Sequence, residues 1–150
     1  MTGSMIIREV HPRDAAEWLR MRRLLWPAEG HDTEIAEYLR SGGTALLAVV
    51  LVAERSPATL AGFIELGLRP YAEGCTSSPV PFIEGWFVDE DVRRQHVGEA
   101  LVRAAEAWAR AQGFPEIASD VELENDLSIA AHGALGFSEV TRLVCFRRDL

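Results

Sequence analysis

The sequence predicts a single mixed α/β domain, a mostly antiparallel sheet flanked by about four helices, and three observations carry that prediction. Two apolar, β-branched runs at residues 44–54 and 60–68 are joined through a Ser56-Pro57-Ala58 turn, the simplest reading of which is an antiparallel hairpin. A strand-like run at 82–88 leads through a polar, basic segment into a long amphipathic stretch ending at Gly113, and a second strand–helix–strand succession follows it. The length, 150 residues, suits one domain and is large enough to bury a core.

Taken in order, residues 5–10 form a short strand candidate. Pro12 suits a first helical turn, where its missing N–H costs nothing. From Arg13 on, Ala16, Leu19, Leu24 and Leu25 mix with Arg20, Arg22 and Arg23 in an amphipathic helix that Pro27 stops. A shorter helix over 32–40 carries Ile35, Tyr38 and Leu39 on one side, with Asp32 or Thr33 as its cap and Gly42-Gly43 as its end. Residues 69–81 read as loop from Pro70, Gly74, Ser77, Ser78, Pro79 and Pro81. The strand at 82–88 precedes a helix over 98–112, with Leu101, Ala104, Ala105, Trp108 and Ala111 along one face. A strand at 117–121, a helix at 126–135 closed by Gly136, and one or two strands over 139–148 complete the chain. There is no internal repeat, low-complexity tract or linker, so one domain is expected over 5–150. Residues 1–4 are expected to be a cloning remnant ahead of a natural start at Met5.

The balance of charges narrows the partners. A net charge of −8 argues against nucleic acid and suits either plain solubility or a cationic partner. Hydrophobic content of 48% and charged content of 25% are ordinary globular values. Cys75 and Cys145 are the two cysteines and do not form a metal-ligand spacing, so no metal is expected and free thiols in a reducing cytoplasm are the default. No apolar run reaches the ~20 residues that span a bilayer, and the first residues lack the pattern of a signal peptide.

The segment from Phe82 to Gly113 organises the rest. Its polar turn contains Arg93-Arg94-Gln95-His96-Val97-Gly98 and feeds directly into a helix, whose first N–H groups and dipole favour a bound anion. A solvated basic turn balancing Asp89, Glu90 and Asp91 is the competing reading of the arginines. Strand, basic loop and helix, followed by strand, helix, Gly-Phe and strand, resembles the GNAT superfamily of N-acetyltransferases over nearly the whole chain from Met5. Arg93 to Gly98 matches the superfamily's Gln/Arg-x-x-Gly-x-Gly/Ala loop, with His96 where the pattern has glycine. Asn125-Asp126-Leu127-Ser128, His132 and Gly136-Phe137 match its Asn-x-x-Ala/Ser…Tyr/His…Gly-Phe helix.

That resemblance implies a sheet splayed between two parallel strands, here 82–88 and 117–121. It implies acetyl-CoA as co-substrate, with its pyrophosphate on Arg93, Arg94, Gln95, His96, Val97 and Gly98. The pantetheine arm would add to the backbone of Trp86, Phe87 and Val88 as an extra strand, with Asn125 capping a helix and touching the arm. A side chain at His96 imposes a conformational cost or crowds the phosphates, or else donates a hydrogen bond to them.

More dispersed motifs are similar to the aminoglycoside 6'-N-acetyltransferases: Leu25-Trp26-Pro27, Tyr71…Gly74-Cys75…Ser77-Ser78-Pro79-Val80, Phe82-Ile83-Glu84-Gly85, Ala118-Ser119-Asp120, Glu124-Asn125 and Ala134-Leu135-Gly136-Phe137. The implied reaction is direct attack of an amine on the thioester, with antibiotic resistance as its outcome. An aliphatic ammonium has a pKa of about 8–10 and needs a proton acceptor before it can attack. Asp120, near the end of a strand beside the splay, is the candidate to accept that proton or orient the ammonium, against a turn or capping aspartate. Glu84 is a candidate ammonium contact, against a structural ion pair. Trp26 and Tyr71 match residues lining the antibiotic pocket, although Trp26 alone reads as core. His132 is a candidate to protonate the departing thiolate, against a packed helix histidine. Cys75 reads as a small loop residue. Some relatives carry an acid at Thr141 and a tyrosine at Phe146, which bears on drug preference. A homodimer is implied by the same resemblance, and another primary amine or a non-catalytic acyl-CoA-binding module are the competing functions.

Overall fold

Four antiparallel strands lie side by side in chain order in the computed structural model, which describes residues 5–150. They are β1 (Ile6–Glu9), β2 (Val49–Ser56), β3 (Thr59–Arg69) and β4 (Val80–Val88). A 3-10 turn (Pro12–Asp14), α1 (Ala15–Leu25) and α2 (His31–Ser41) separate β1 from β2. A second 3-10 turn (Glu90–Val92), α3 (Val97–Ala111) and α4 (Asp126–Ala134) follow β4. No helix of the described residues is long and apolar enough to cross a membrane, and no group of three or more His, Cys, Asp or Glu side chains among them is placed to hold a metal ion.

The sheet is covered on both faces. Val49, Leu51 and Ala53 pack with Val97, Leu101, Val102 and Ala105 of α3. Val50 and Val52 point the other way and join Trp18 and Met21 of α1 and Ile35 and Tyr38 of α2. Two buried faces explain why β2 reads as an unbroken apolar run and not as an alternation, since successive side chains serve opposite layers. Pro57 and Ala58 form a two-residue turn between β2 and β3, with Ala58 held in the left-handed region at φ 64°.

The register of β4 contains the feature that shapes the site. Glu65 of β3 faces Gly85 while the next residue, Leu66, faces Ile83, so Glu84 is an extra residue bulged out of the ladder. The bulge lets Ile83 pack with the α3 layer while Phe87 packs with the α1 layer.

Several elements differ from the sequence reading. The strand expected at 117–121 is a single parallel bridge, Phe82 to Ala118, with Ala118 N–H donating to the Pro81 carbonyl at 2.9 Å and Ile83 N–H to the Ala118 carbonyl at 2.9 Å. The strands expected at 139–148 lie outside the sheet, and residues 138–150 are exposed. A strand exists only where a neighbour takes up its backbone groups, and residues 139–148 pair with no strand of the described chain. Residues 44–48 are loop, closed by Thr44 N–H to the Leu47 carbonyl at 2.9 Å. Gly30, at φ 88°, precedes α2 as its N-cap in place of Asp32 or Thr33. On α3, Ala111 is exposed and Ala109 is buried instead. The buried side of α1 is Trp18, Met21 and Arg22, whereas Ala16 and Leu24 face solvent.

Candidate active site

The loop at Arg93–Gly98 and the start of α3 form one end of the site. His96 is the residue before α3, at φ 63°, and Arg94 sits at φ 67°. His96 therefore adopts the left-handed conformation in which a glycine is at ease, at a cost of roughly 1–2 kcal/mol for a residue with a Cβ. Its side chain is largely exposed and lies 3.3 Å from Glu99 through Nδ1, so it leaves the α3 N-terminus without a side-chain cap. The Arg93 guanidinium donates from Nε to the Val88 carbonyl at 3.0 Å, tying the loop to the last residue of β4. Gly98 lies close under Trp86: a Cβ there would sit 3.2 Å from the indole, which would have to shift by a few tenths of an ångström. A depression of about 690 Å³, lined by Arg20, Leu24, Phe87, Asp89, Glu90, Asp91 and Arg93, adjoins this end and reaches neither Glu84 nor Asp120.

Beyond Ala118 the next segment parts from β4. From Gly85 to Val88, β4 is laddered only to β3, which leaves Trp86, Phe87 and Val88 on a sheet edge beside the loop. Ser119 and Asp120 follow the bridge, so Glu84 and Asp120 stand on the two arms of the opening. Asp120 is exposed. Glu84 is gripped by Arg69, which donates from Nε at 2.9 Å and from a terminal nitrogen at 2.8 Å. Arg69 also lies 3.5 Å above the Phe82 ring centre. The Glu84 carboxylate, and more weakly the Asp120 charge, hold this guanidinium above its ordinary pKa. Glu84 is thus both an ion-pair partner and a wall of the opening.

Trp26 is half-buried. It packs on β4 where Gly85 has no side chain, since a Cβ there would sit 2.4 Å from the indole. His31 stacks on it at 6.2 Å and Phe63 meets it edge-on at 6.4 Å. Beneath it lies a buried polar cluster. Arg22 donates to both oxygens of Glu65 at 2.8 and 3.0 Å, to Glu34 at 2.7 Å and to His31 Nδ1 at 3.1 Å. Because a guanidinium only donates, His31 accepts at Nδ1 and donates from Nε2 to the Trp26 carbonyl at 3.0 Å.

Tyr71 is exposed and donates to Glu73 at 3.1 Å, which raises the phenol pKa. Its loop is pinned by Glu116, whose carboxylate accepts from the N–H groups of Thr76 and Ser77 at 2.9 and 2.8 Å and from the Ser77 hydroxyl at 2.5 Å. The Ser77 hydroxyl, with these amides, lowers the Glu116 pKa. Cys75 is half-buried, and burial raises its thiol pKa.

Asn125 caps α4 by accepting from Ser128 N–H at 3.2 Å. His132, on α4, has Nδ1 2.7 Å from the Ser128 carbonyl and Nε2 2.8 Å from the Ser119 hydroxyl. The structure therefore gathers Glu84, Asp120, Trp86 and His132 around the parting of the two segments, with Arg93–Gly98 at one end. Arg69, Glu116 and Ser119 are contributors that sequence reasoning left without roles. Arg69 sits before Pro70 and Glu116 after Pro115, and both look like loop charges, while their partners lie 15 and about 40 positions away.

The acetyltransferase (GNAT) family model matches residues 14–137. An aminoglycoside N(6')-acetyltransferase type 1 from Klebsiella aerogenes is 50% identical, with the whole of both chains covered. Another, from Stenotrophomonas maltophilia, is 42% identical over 96% of this chain and 93% of its own. Among solved structures, AAC(6')-Iy in complex with the bisubstrate analog CoA-S-monomethyl-acetylneamine superposes with a TM-score of 0.87 at 32% identity, covering 99% of this chain and all of the other.

Proposed function

Because the chain belongs to the acetyltransferase (GNAT) family, we propose that it transfers the acetyl group of acetyl-CoA to the 6'-amino group of aminoglycoside antibiotics and so confers resistance to them. The observation that carries this reading is the opening between β4 and the segment after Ala118, with a carboxylate on each arm. The free edge at Trp86, Phe87 and Val88 suits the pantetheine amides, and the amides of Arg93–Gly98 with the uncapped α3 start suit the pyrophosphate. Asn125, the cap of α4, is the further contact for the cofactor arm. The amine enters among Glu84, Asp120, Tyr71 and Trp26, where two acids and two aromatic faces complement a polycationic sugar. Asp120 accepts the ammonium proton, directly or through water, and the amine attacks the thioester carbonyl. His132 returns a proton to the thiolate that leaves. One catalytic domain over residues 5–150, working in the cytoplasm where acetyl-CoA is available, completes the reading.

The test is free-thiol release from acetyl-CoA. Purified protein with kanamycin or tobramycin is expected to release CoA thiol, with polyamines and peptide amines as the comparison panel. Release with polyamines or peptides but with no aminoglycoside would replace the acceptor, and no release with any amine would remove the activity.

The same reading includes a homodimer. Val140, Leu143, Val144 and Phe146 are exposed in a tail that no strand of the described chain covers, Phe146 at 92% of its full exposure. Apolar side chains at such spacing suit a strand added to a second copy. Sedimentation velocity is expected to give twice the chain mass for the native protein and the chain mass for Val144→Asp/Phe146→Asp. A native protein that sediments as a monomer at tens of micromolar refutes the dimer.

A further inference from the structure

We propose that Ser119 is a catalytic residue of this site, the hydroxyl through which His132 passes a proton to the departing CoA thiolate; the assignment rests on the acetyl-transfer reading above. Its starting point is the tautomer of His132. A backbone carbonyl only accepts, so the 2.7 Å contact with the Ser128 carbonyl puts a proton on Nδ1. Neutral His132 then carries a lone pair on Nε2, and the Ser119 hydroxyl donates to it at 2.8 Å. In that state the imidazole has no proton to offer the opening. Both ring nitrogens are engaged, and the faces and edges of the ring are packed by Trp86 at 5.4 Å and Phe137 at 5.3 Å. The group in line beyond Nε2 is Ser119.

Ser119 is also placed by the backbone. Ala118 makes the last two hydrogen bonds to β4, so Ser119 is the first residue past the junction and Asp120 the second. Neighbouring side chains of an extended segment project to opposite sides. Asp120 is exposed and Ser119 half-buried against α4. One short segment thus offers a carboxylate toward the incoming amine and a hydroxyl on the reverse side.

The step balances. When His132 is protonated, Nδ1 still donates to Ser128 and Nε2–H donates to the Ser119 oxygen, which turns its own proton outward. As the C–S bond of the tetrahedral adduct breaks, the electron pair goes to sulfur and the sulfur takes the Ser119 proton. Ser119 takes the Nε2 proton, and His132 returns to the neutral Nδ1–H form until water reprotonates it. The amine proton leaves separately toward Asp120. The groups packed on the imidazole are Trp86 from β4, Phe137, Ser119 and Ser128, none of which titrates near neutrality.

The experiment is single-turnover acetyl transfer by the full chain, with the aminoglycoside that gives the fastest thiol release. Ser119→Ala is expected to lower the rate by about 10²-fold, within the ordinary range for one proton-transfer group. Acetyl-CoA affinity, measured by calorimetry, stays within about twofold. His132→Ala should cost the same factor, and the double variant no more, as expected for two members of one relay. A native rate in Ser119→Ala overturns the relay; if His132→Ala is then slow, His132 donates directly. Native rates in both variants remove both assignments and leave acetyl transfer standing. Absence of thiol release from the native protein refutes acetyl transfer itself, and the relay with it.

Discussion

Asp120→Asn is expected to lower turnover by about 10²–10⁴-fold while leaving acetyl-CoA binding nearly unchanged. The substitution keeps the shape and one acceptor oxygen and removes the charge and the basicity. At neutral pH the acceptor amine is mostly ammonium, and only its deprotonated form attacks a carbonyl. Asp120 stands two residues past the last bond to β4, on the arm of the opening that faces Glu84. Glu84 cannot readily replace it, because Arg69 already occupies both of its oxygens. The Arg93–Gly98 loop and the α3 start lie along β4 from this point, tied to Val88 through Arg93. The measurement is kcat for an aminoglycoside beside the calorimetric dissociation constant for acetyl-CoA. Equal losses in the two would mean that Asp120 shapes the site and does not take the proton.

The largest effect on stability is expected from Glu65→Ala, a loss of about 3–5 kcal/mol. The Glu65 side chain is fully buried and that of Arg22 is 5% exposed. Removing the carboxylate strands the guanidinium under the sheet and also deprives Trp18 Nε1 of its acceptor at 2.9 Å. Burial by itself would lower the Arg22 pKa, and in the native protein the Glu65 hydrogen bonds and charge outweigh it. A guanidinium is basic enough to stay protonated without that support, so removing Glu65 leaves its charge uncompensated. For a chain of this length the loss corresponds to a melting temperature lower by roughly 10 °C or more. Glu34→Ala, at the exposed end of the same cluster, should cost no more than about 1 kcal/mol. Urea denaturation of the two variants separates these expectations, and a Glu65→Ala loss as small as that of Glu34→Ala would show that the buried pair contributes nothing net.

Arg22 also shows where the sequence is hard to read. The hairpin, β4 and α3 were legible because their apolar residues recur with strand or helix period, and such patterns reflect burial directly. On α1 the same logic was right only in part: Leu19 and Leu25 pack on the core, but Leu24 is exposed and Arg22 is buried, neutralised by Glu65, 43 positions away. Long-range pairing leaves no local pattern. The basic turn at Arg93–Gly98 was legible as the start of a helix, and the cost anticipated for His96 is the left-handed φ it adopts. The bulge at Glu84 was not legible, since it depends on the register between β3 and β4. The C-terminal tail misled for the opposite reason. Its β-branched residues favour a strand, but a strand requires an edge to pair with.

The bulge has a consequence for how this pocket can change under selection. A residue inside the ladder is committed to one of the two packed layers, so altering it disturbs the core. Glu84 is surplus to the ladder, and its carboxylate is held by Arg69 on the rim. Its immediate neighbour Gly85 is closed to any side chain by Trp26. Change at this opening is therefore channelled: substitutions at Glu84 and Arg69 carry little penalty to folding, while the next position along the same strand is closed to any side chain.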